Sequence, residues 1–269
     1  MMKFAINYST QAARLVAQND IDIDRFKCPD WPDLVMEASR LRPVAVHFTL
    51  QAGSGNINKT DWGAVERLLI QTGTDYVNLH LAPECSDYPG IPVETSAEEH
   101  QLVIERMIGD VRSVVRQFGA ESVIVENVPY RGLEGSVLRP GVEPGAIEEV
   151  ITETGCGLLL DISHACISAR HLGMEERAYM EALPVDRLRE LHFTGLHYLD
   201  GDWRDHLPVL EEDWPMLDWA LECIQRGEWA QPTMLAFEYG GVGEKFAWRS
   251  DTTVIAEQAP LLYKRAHAV

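Results

Sequence analysis

Three consecutive leucines, Leu158-Leu159-Leu160, are entered from Cys156-Gly157 and closed by Asp161. So short and unbroken an apolar run fits a strand buried on both faces, which calls for a parallel sheet covered by helices. His164 follows three positions after Asp161, so the strand would present oxygen and nitrogen ligand atoms at the rim of that sheet. Taken alone, the pair reads sooner as an aspartate capping the next helix beside a satisfied histidine. The same event recurs along the chain, and the recurrence changes the reading.

Lys3–Tyr8 is a strand, followed by an amphipathic helix from about Thr10 to Asn19. Ile21–Lys27 alternates apolar and polar residues like a second strand, and Pro29–Arg40 is a helix with proline near its start. Pro43–Thr49 is the third strand. A Gly/Asn-rich loop, Gln51–Lys59, leads to a helix from Thr60 to Gln71. Asp75–Leu81 is the fourth strand, and a proline-rich loop leads to a helix capped by Ser96 and reaching Phe118. Glu121–Asn127 is the fifth strand, and Pro144 opens a helix to Thr154. The leucine strand is the sixth, with a helix over roughly Cys166–Leu183. Leu188–Thr194 is the seventh, followed by a loop to Glu212 and a helix from Trp214 to Arg226. Met234–Tyr239 is the eighth, and the last helix runs from Asp251 to His267.

Eight strands alternating with eight helices, with no linker, predict a single α/β domain over residues 1–269, a (β/α)8 TIM barrel. No G-x-G-x-x-G follows the first strand, so the dinucleotide-binding open sheet lacks support. In such barrels the active site lies at the carboxyl ends of the strands. Those ends supply His47, His80, Glu126, Asp161, His192 and Glu238 in order. His164 adds to strand six, and Asp205-His206 lies in the loop after strand seven. Each has a bland alternative: His47 and His80 as satisfied core histidines, Glu126 as an acceptor for loop amides, Glu238 as a partner of Arg249. His197 competes with His192. His100, His171 and His267 fall outside the pattern.

Imidazole and carboxylate together bind divalent first-row metals. No cysteine stands at a strand end, so the expected ions are zinc, iron or manganese. Nine ligands exceed the need of one ion and point to two or three. The net charge of −19 opposes nucleic-acid binding, which rests on basic groups neutralising phosphates. Five scattered cysteines without a C-x-x-C pair read as reduced thiols. No stretch is long enough for a membrane span, and Met1–Tyr8 holds no signal region, so a cytoplasmic location is expected. Oligomeric state is not readable.

Val125-Glu126-Asn127, Leu160-Asp161-Ile162-Ser163-His164-Ala165, Glu190-Leu191-His192-Phe193, Phe237-Glu238 and His80 with Leu-Ala-Pro behind it resemble motifs of the xylose isomerase-like TIM-barrel superfamily. That group holds sugar isomerases and epimerases, endonuclease IV and multinuclear iron oxidases. The resemblance implies a metal enzyme acting on a small-molecule substrate, a sugar or sugar phosphate, with Glu126 and Glu238 as catalytic carboxylates that pass a proton between carbons. Gly240–Gly243 could hold a phosphate, though a turn accounts for it. The alternatives are an iron oxidase that modifies a peptide with dioxygen, an endonuclease IV-like phosphodiester hydrolase, and a metal-binding protein without catalysis. Two departures stand out. The multinuclear branches place an aspartate two positions before the loop histidine, where this chain has Arg204. The iron oxidases carry asparagine where it has His164.

Overall fold

The computed structural model describes residues 1–244 and 246–269. Its strands are β1 Lys3–Asn7, β2 Arg25–Pro29, β3 Val44–His47, β4 Leu50–Ala52, β5 Val77–Leu81, β6 Val123–Glu126, β7 Gly157–Asp161, β8 Leu188–Phe193, β9 Gly195–Leu199, β10 Asp202–Leu207 and β11 Met234–Phe237. The helices are α1 Thr10–Gln18, α2 Pro32–Ser39, α3 Trp62–Thr72, α4 Ala97–Phe118, α5 Pro144–Thr154, α6 Ile162–Leu172, α7 Glu176–Glu181, α8 Trp214–Gln225 and α9 Thr252–Ala266. Among the described residues, no helix is long and apolar enough to cross a membrane.

The chain divides into two compact units, one of Met1–His47, Gly63–Asp75 and Arg189–Val269, the other of Phe48–Trp62 and Tyr76–Leu188. In the first, parallel strands follow the order β3-β2-β1-β11-β8. Phe4, Ile6, Phe26, Leu191 and Phe237 are buried there. The antiparallel pair β9–β10 belongs to the same unit. In the second, the parallel order is β7-β6-β5-β4. All of Leu158, Leu159 and Leu160 are fully buried, as a strand covered on both faces requires.

Local chemistry sets several boundaries as expected. Ser96 and Glu99 close a capping box on α4, Pro144 opens α5, and Asp251 caps α9. Elsewhere the structure departs from the expectation. The second strand begins at Arg25, because the Asp24 carboxylate first accepts the Phe4 amide, while Ile21 and Ile23 are buried ahead of it. Part of the expected Gln51–Lys59 loop is strand: β4 pairs with β5 through Leu50–Leu79 and Gln51–His80. The helix expected from Cys166 starts at Ile162, directly after Asp161, and stops at left-handed Gly173 before the separate α7. The expected loop after strand seven contains the β9–β10 hairpin.

Candidate metal centre

In the second unit, parallel register sets His80 of β5 beside Glu126 of β6. Buried runs carry both strands to this point, so the polar side chains emerge where the apolar face ends. His80 Nε2 lies 3.4 Å from Glu126 Oε2. The His164 ring, one turn into α6, stands 3.5 Å from Glu126 Oε1 and 3.6 Å from Asp161 Oδ2 through its Nδ1. Asp161 does cap α6, its Oδ1 accepting the His164 amide at 2.8 Å. Its Oδ2 is buried and accepts no hydrogen bond from a described residue. One oxygen therefore serves the helix, and the other is buried without such a bond. Asn127 locks the tips of β6 and β7 together: its Nδ2 donates to the Asp161 carbonyl and its Oδ1 accepts the Asp161 amide, each at 2.9 Å.

The first unit gathers the remaining candidates. The His47 and His192 rings stand 5.4 Å apart. His192 Nδ1 is 3.1 Å from Glu238 Oε1. His206 Nδ1 lies 3.0 Å from the Glu238 carbonyl, and its Nε2 is 3.5 Å from Asp205 Oδ2. Neighbours on a regular strand point to opposite faces. The β10 register slips between Arg204 and Leu207, and His206 adopts a left-handed φ of 57°. That distortion, held by the His206 amide donating to Thr194 Oγ1 at 3.1 Å, turns adjacent Asp205 and His206 towards each other.

Electrostatics in this unit oppose burial with charge pairing. Burial alone would raise the Glu238 carboxyl, yet the imidazoles of His192, His47 and His206 hold it well below the usual carboxylate range. Burial disfavours a charged His192 ring, but Glu238 and Glu190 outweigh it and raise the imidazole to about 10. Burial lowers the Arg249 guanidinium, while Glu238 and Asp205 pull it the other way. Arg249 also stacks over Phe246 at 4.4 Å, a cation set towards the acids without displacing them.

Three histidines share a device. The Nδ1 atoms of His80, His164 and His206 face the carbonyls of Leu50, Asn127 and Glu238 at 3.2, 2.9 and 3.0 Å. A carbonyl only accepts, so each Nδ1 carries the proton and each Nε2 the lone pair, the arrangement by which metal-binding histidines are oriented. The described groups able to hold a metal draw on His47, Glu126, Asp161, His164, His192, Asp205, His206 and Glu238. The donor set thus fits a hard or borderline divalent ion. His197 instead bonds the Pro208 carbonyl at 2.8 Å, and His100 and His267 pair with Glu143 and Asp24. Sequence reasoning missed Lys27, Glu190, Asn127 and Thr194. The Glu-x-His spacing of Glu190 and His192, which puts both on one strand face, was the available signal.

A model of a family described as RiPP precursor modification enzyme MbnB/TglH/ChrH matches residues 29–238. A UPF0276 protein of Caulobacter vibrioides is 29% identical over 165 residues, 60% of this chain and 57% of that protein. One from Paraburkholderia phytofirmans is 43% identical over 162 residues, covering 57% and 50%. The matched stretch spans about half the length of these curated relatives. Among solved structures, a D-tagatose 3-epimerase-like protein matches with TM-score 0.61 at 14% identity, covering 100% of this chain and 98% of the other. The Clostridium cellulolyticum D-psicose 3-epimerase matches at 0.59 and 12%, covering 100% and 99%. The chain therefore has the xylose isomerase-like TIM-barrel fold expected of it. At such identities the sugar epimerases share the fold and nothing more, since one barrel hosts many reactions. The family match overturns the expected sugar isomerase or epimerase.

Proposed function

We propose that this chain, which belongs to the MbnB/TglH/ChrH family of RiPP precursor modification enzymes, is a multinuclear iron enzyme that oxidatively modifies a ribosomally made precursor peptide. The observation that carries the metal assignment is the preset ring orientation of His80, His164 and His206, each with Nδ1–H spent on a backbone carbonyl. Histidines held this way have a fixed ring orientation, as metal-binding histidines do.

The ligands proposed are His80, Glu126, Asp161 and His164 from one unit and His47, His192, Asp205, His206 and Glu238 from the other. Two or three ions suit that number of donors. Redox-active iron would supply the one-electron and dioxygen chemistry that protein side chains lack. The chain's own groups do the rest. Glu126 and Glu238 are the catalytic carboxylates, acting as ligands beside the reacting group. Asp161 anchors its ion through Oδ2 while Oδ1 keeps α6 in place. Arg249 offsets negative charge near Glu238 and Asp205. His164 and Asp205 supply the donors where related oxidases use asparagine and a D-x-H aspartate.

The test is elemental analysis of protein purified without added metal, followed by incubation with precursor peptides from the same genome under air. The expected result is more than one iron per chain, a charge-transfer band, and a peptide mass change that needs dioxygen. Protein that carries zinc alone, or iron-loaded protein that leaves every such peptide unchanged while interconverting ketoses, overturns the reading.

A further inference from the structure

Lys27 and Glu190 take no part in the ligand set, yet both are buried on parallel strands of the first unit, each only 3% exposed. Two opposite charges taken out of water are costly to desolvate, and such a pair is at best neutral for stability against well-packed apolar residues. Its placement calls for another explanation. Lys27 Nζ is ion-paired with Glu190 Oε1. The same oxygen lies 2.7 Å from His192 Nε2. His192 is fully buried, and its other nitrogen, Nδ1, lies 3.1 Å from Glu238 Oε1.

We propose that Lys27 and Glu190 are a positioning pair that consumes His192 Nε2 and so reserves Nδ1 of that ring, with Glu238, for a metal ion. The inference rests on the metal reading above and deepens it. Glu190 accepts from Nε2–H, so Nδ1 is the nitrogen left to an ion that displaces its proton. Two ligand atoms about 3 Å apart are the spacing of neighbouring donors on one ion with bonds of about 2.1 Å. His192 is then the reverse of His80, His164 and His206, whose Nδ1 atoms are spent and whose Nε2 atoms are presented. Lys27, ion-paired with Glu190, fixes the carboxylate that orients the ring.

The experiment titrates the metal-free full chain with cobalt(II), reads the d–d absorption, and determines affinity by chelator competition. Glu190→Gln and Lys27→Met are each expected to weaken cobalt binding at one site about 10–100-fold and to alter the band shape. Either single change strands a buried charge and could unfold the chain, so the paired variant Lys27→Met/Glu190→Leu is measured beside them. It removes both charges together, so neither is stranded in the interior. If that folded double variant still shows the weakened site and altered band, the pair positions the ring. If it binds cobalt with wild-type affinity and spectrum, the pair is structural and the inference is overturned. Wild-type protein that binds no cobalt would sink the metal reading itself and this inference with it.

Discussion

Asp161 does two jobs with two oxygens, and the jobs can be separated. Oδ1 caps α6 and Oδ2 is buried without a hydrogen bond from a described residue. Asn is as good an N-cap as Asp, whereas Ala removes the cap at a cost of about 1 kcal/mol. Asp161→Asn is therefore expected to keep the stability of the metal-free protein within about 0.5 kcal/mol while lowering metal content, because an amide oxygen is a far weaker ligand than a carboxylate. Asp161→Ala should lose both. Denaturant unfolding with elemental analysis of the same samples checks this, and an Asn variant with full metal content would remove Asp161 from the ligand set. Of the two readings that compete in the sequence, the helix cap is realised, and the ligand reading is what the Asn variant tests. Lys27 and Glu190 were not legible in the same way. Lys27 occupies a polar slot of an alternating segment and Glu190 a polar slot of Leu-Arg-Glu-Leu, positions that normally face solvent. Only the pairing of β2, β1, β11 and β8 brings the two charges together.

Elements were legible in proportion to how local their causes are. The long helix α4 announces itself through the capping box of Ser96 and Glu99, and β7 through its unbroken leucines. The three-residue β4 has too little pattern to detect and exists because β5 offers it a ladder. The β9–β10 hairpin hides because its register slip breaks the alternation that identifies a strand. That slip brings Asp205 and His206 together, with Thr194 holding the left-handed His206 through its amide. Thr194→Val keeps the shape and removes the acceptor of a partly buried amide, at about 1 kcal/mol. The expected outcome is a folded protein with less metal per chain and a hairpin cut faster by protease. Wild-type metal content in this variant would show that the hairpin conformation is held by something else.

For the whole molecule, the reaction was the least legible property. The barrel fold and the strand-end ligands are common to enzymes that move protons on sugars and enzymes that modify peptides, so neither distinguishes them. The family match speaks against the sugar reaction. The proposed ligand set predicts how the molecule responds to losing ions. Glu126, Asp161 and Glu238 are each buried, and a buried carboxylate is costly unless it is paired or metal-bound. Ions that bind only the folded state stabilise it by about 2.7 kcal/mol at a free concentration a hundredfold above Kd. Stripping with a chelator is therefore expected to lower the unfolding temperature, and adding back iron(II) without oxygen to restore it. The pH sets the sign of uptake. In the metal-free protein, burial opposes a charged His192, but Glu238 and Glu190 raise the ring to about 10, so it is protonated throughout the neutral range. An ion arriving at Nδ1 must displace that proton, so binding weakens as pH falls and strengthens as pH rises towards about 10, by about tenfold per unit for each proton released. Chelator competition across about two pH units, corrected for the chelator's own protonation, reads the slope. A flat profile would mean that the proton on His192 is not in the path of the metal.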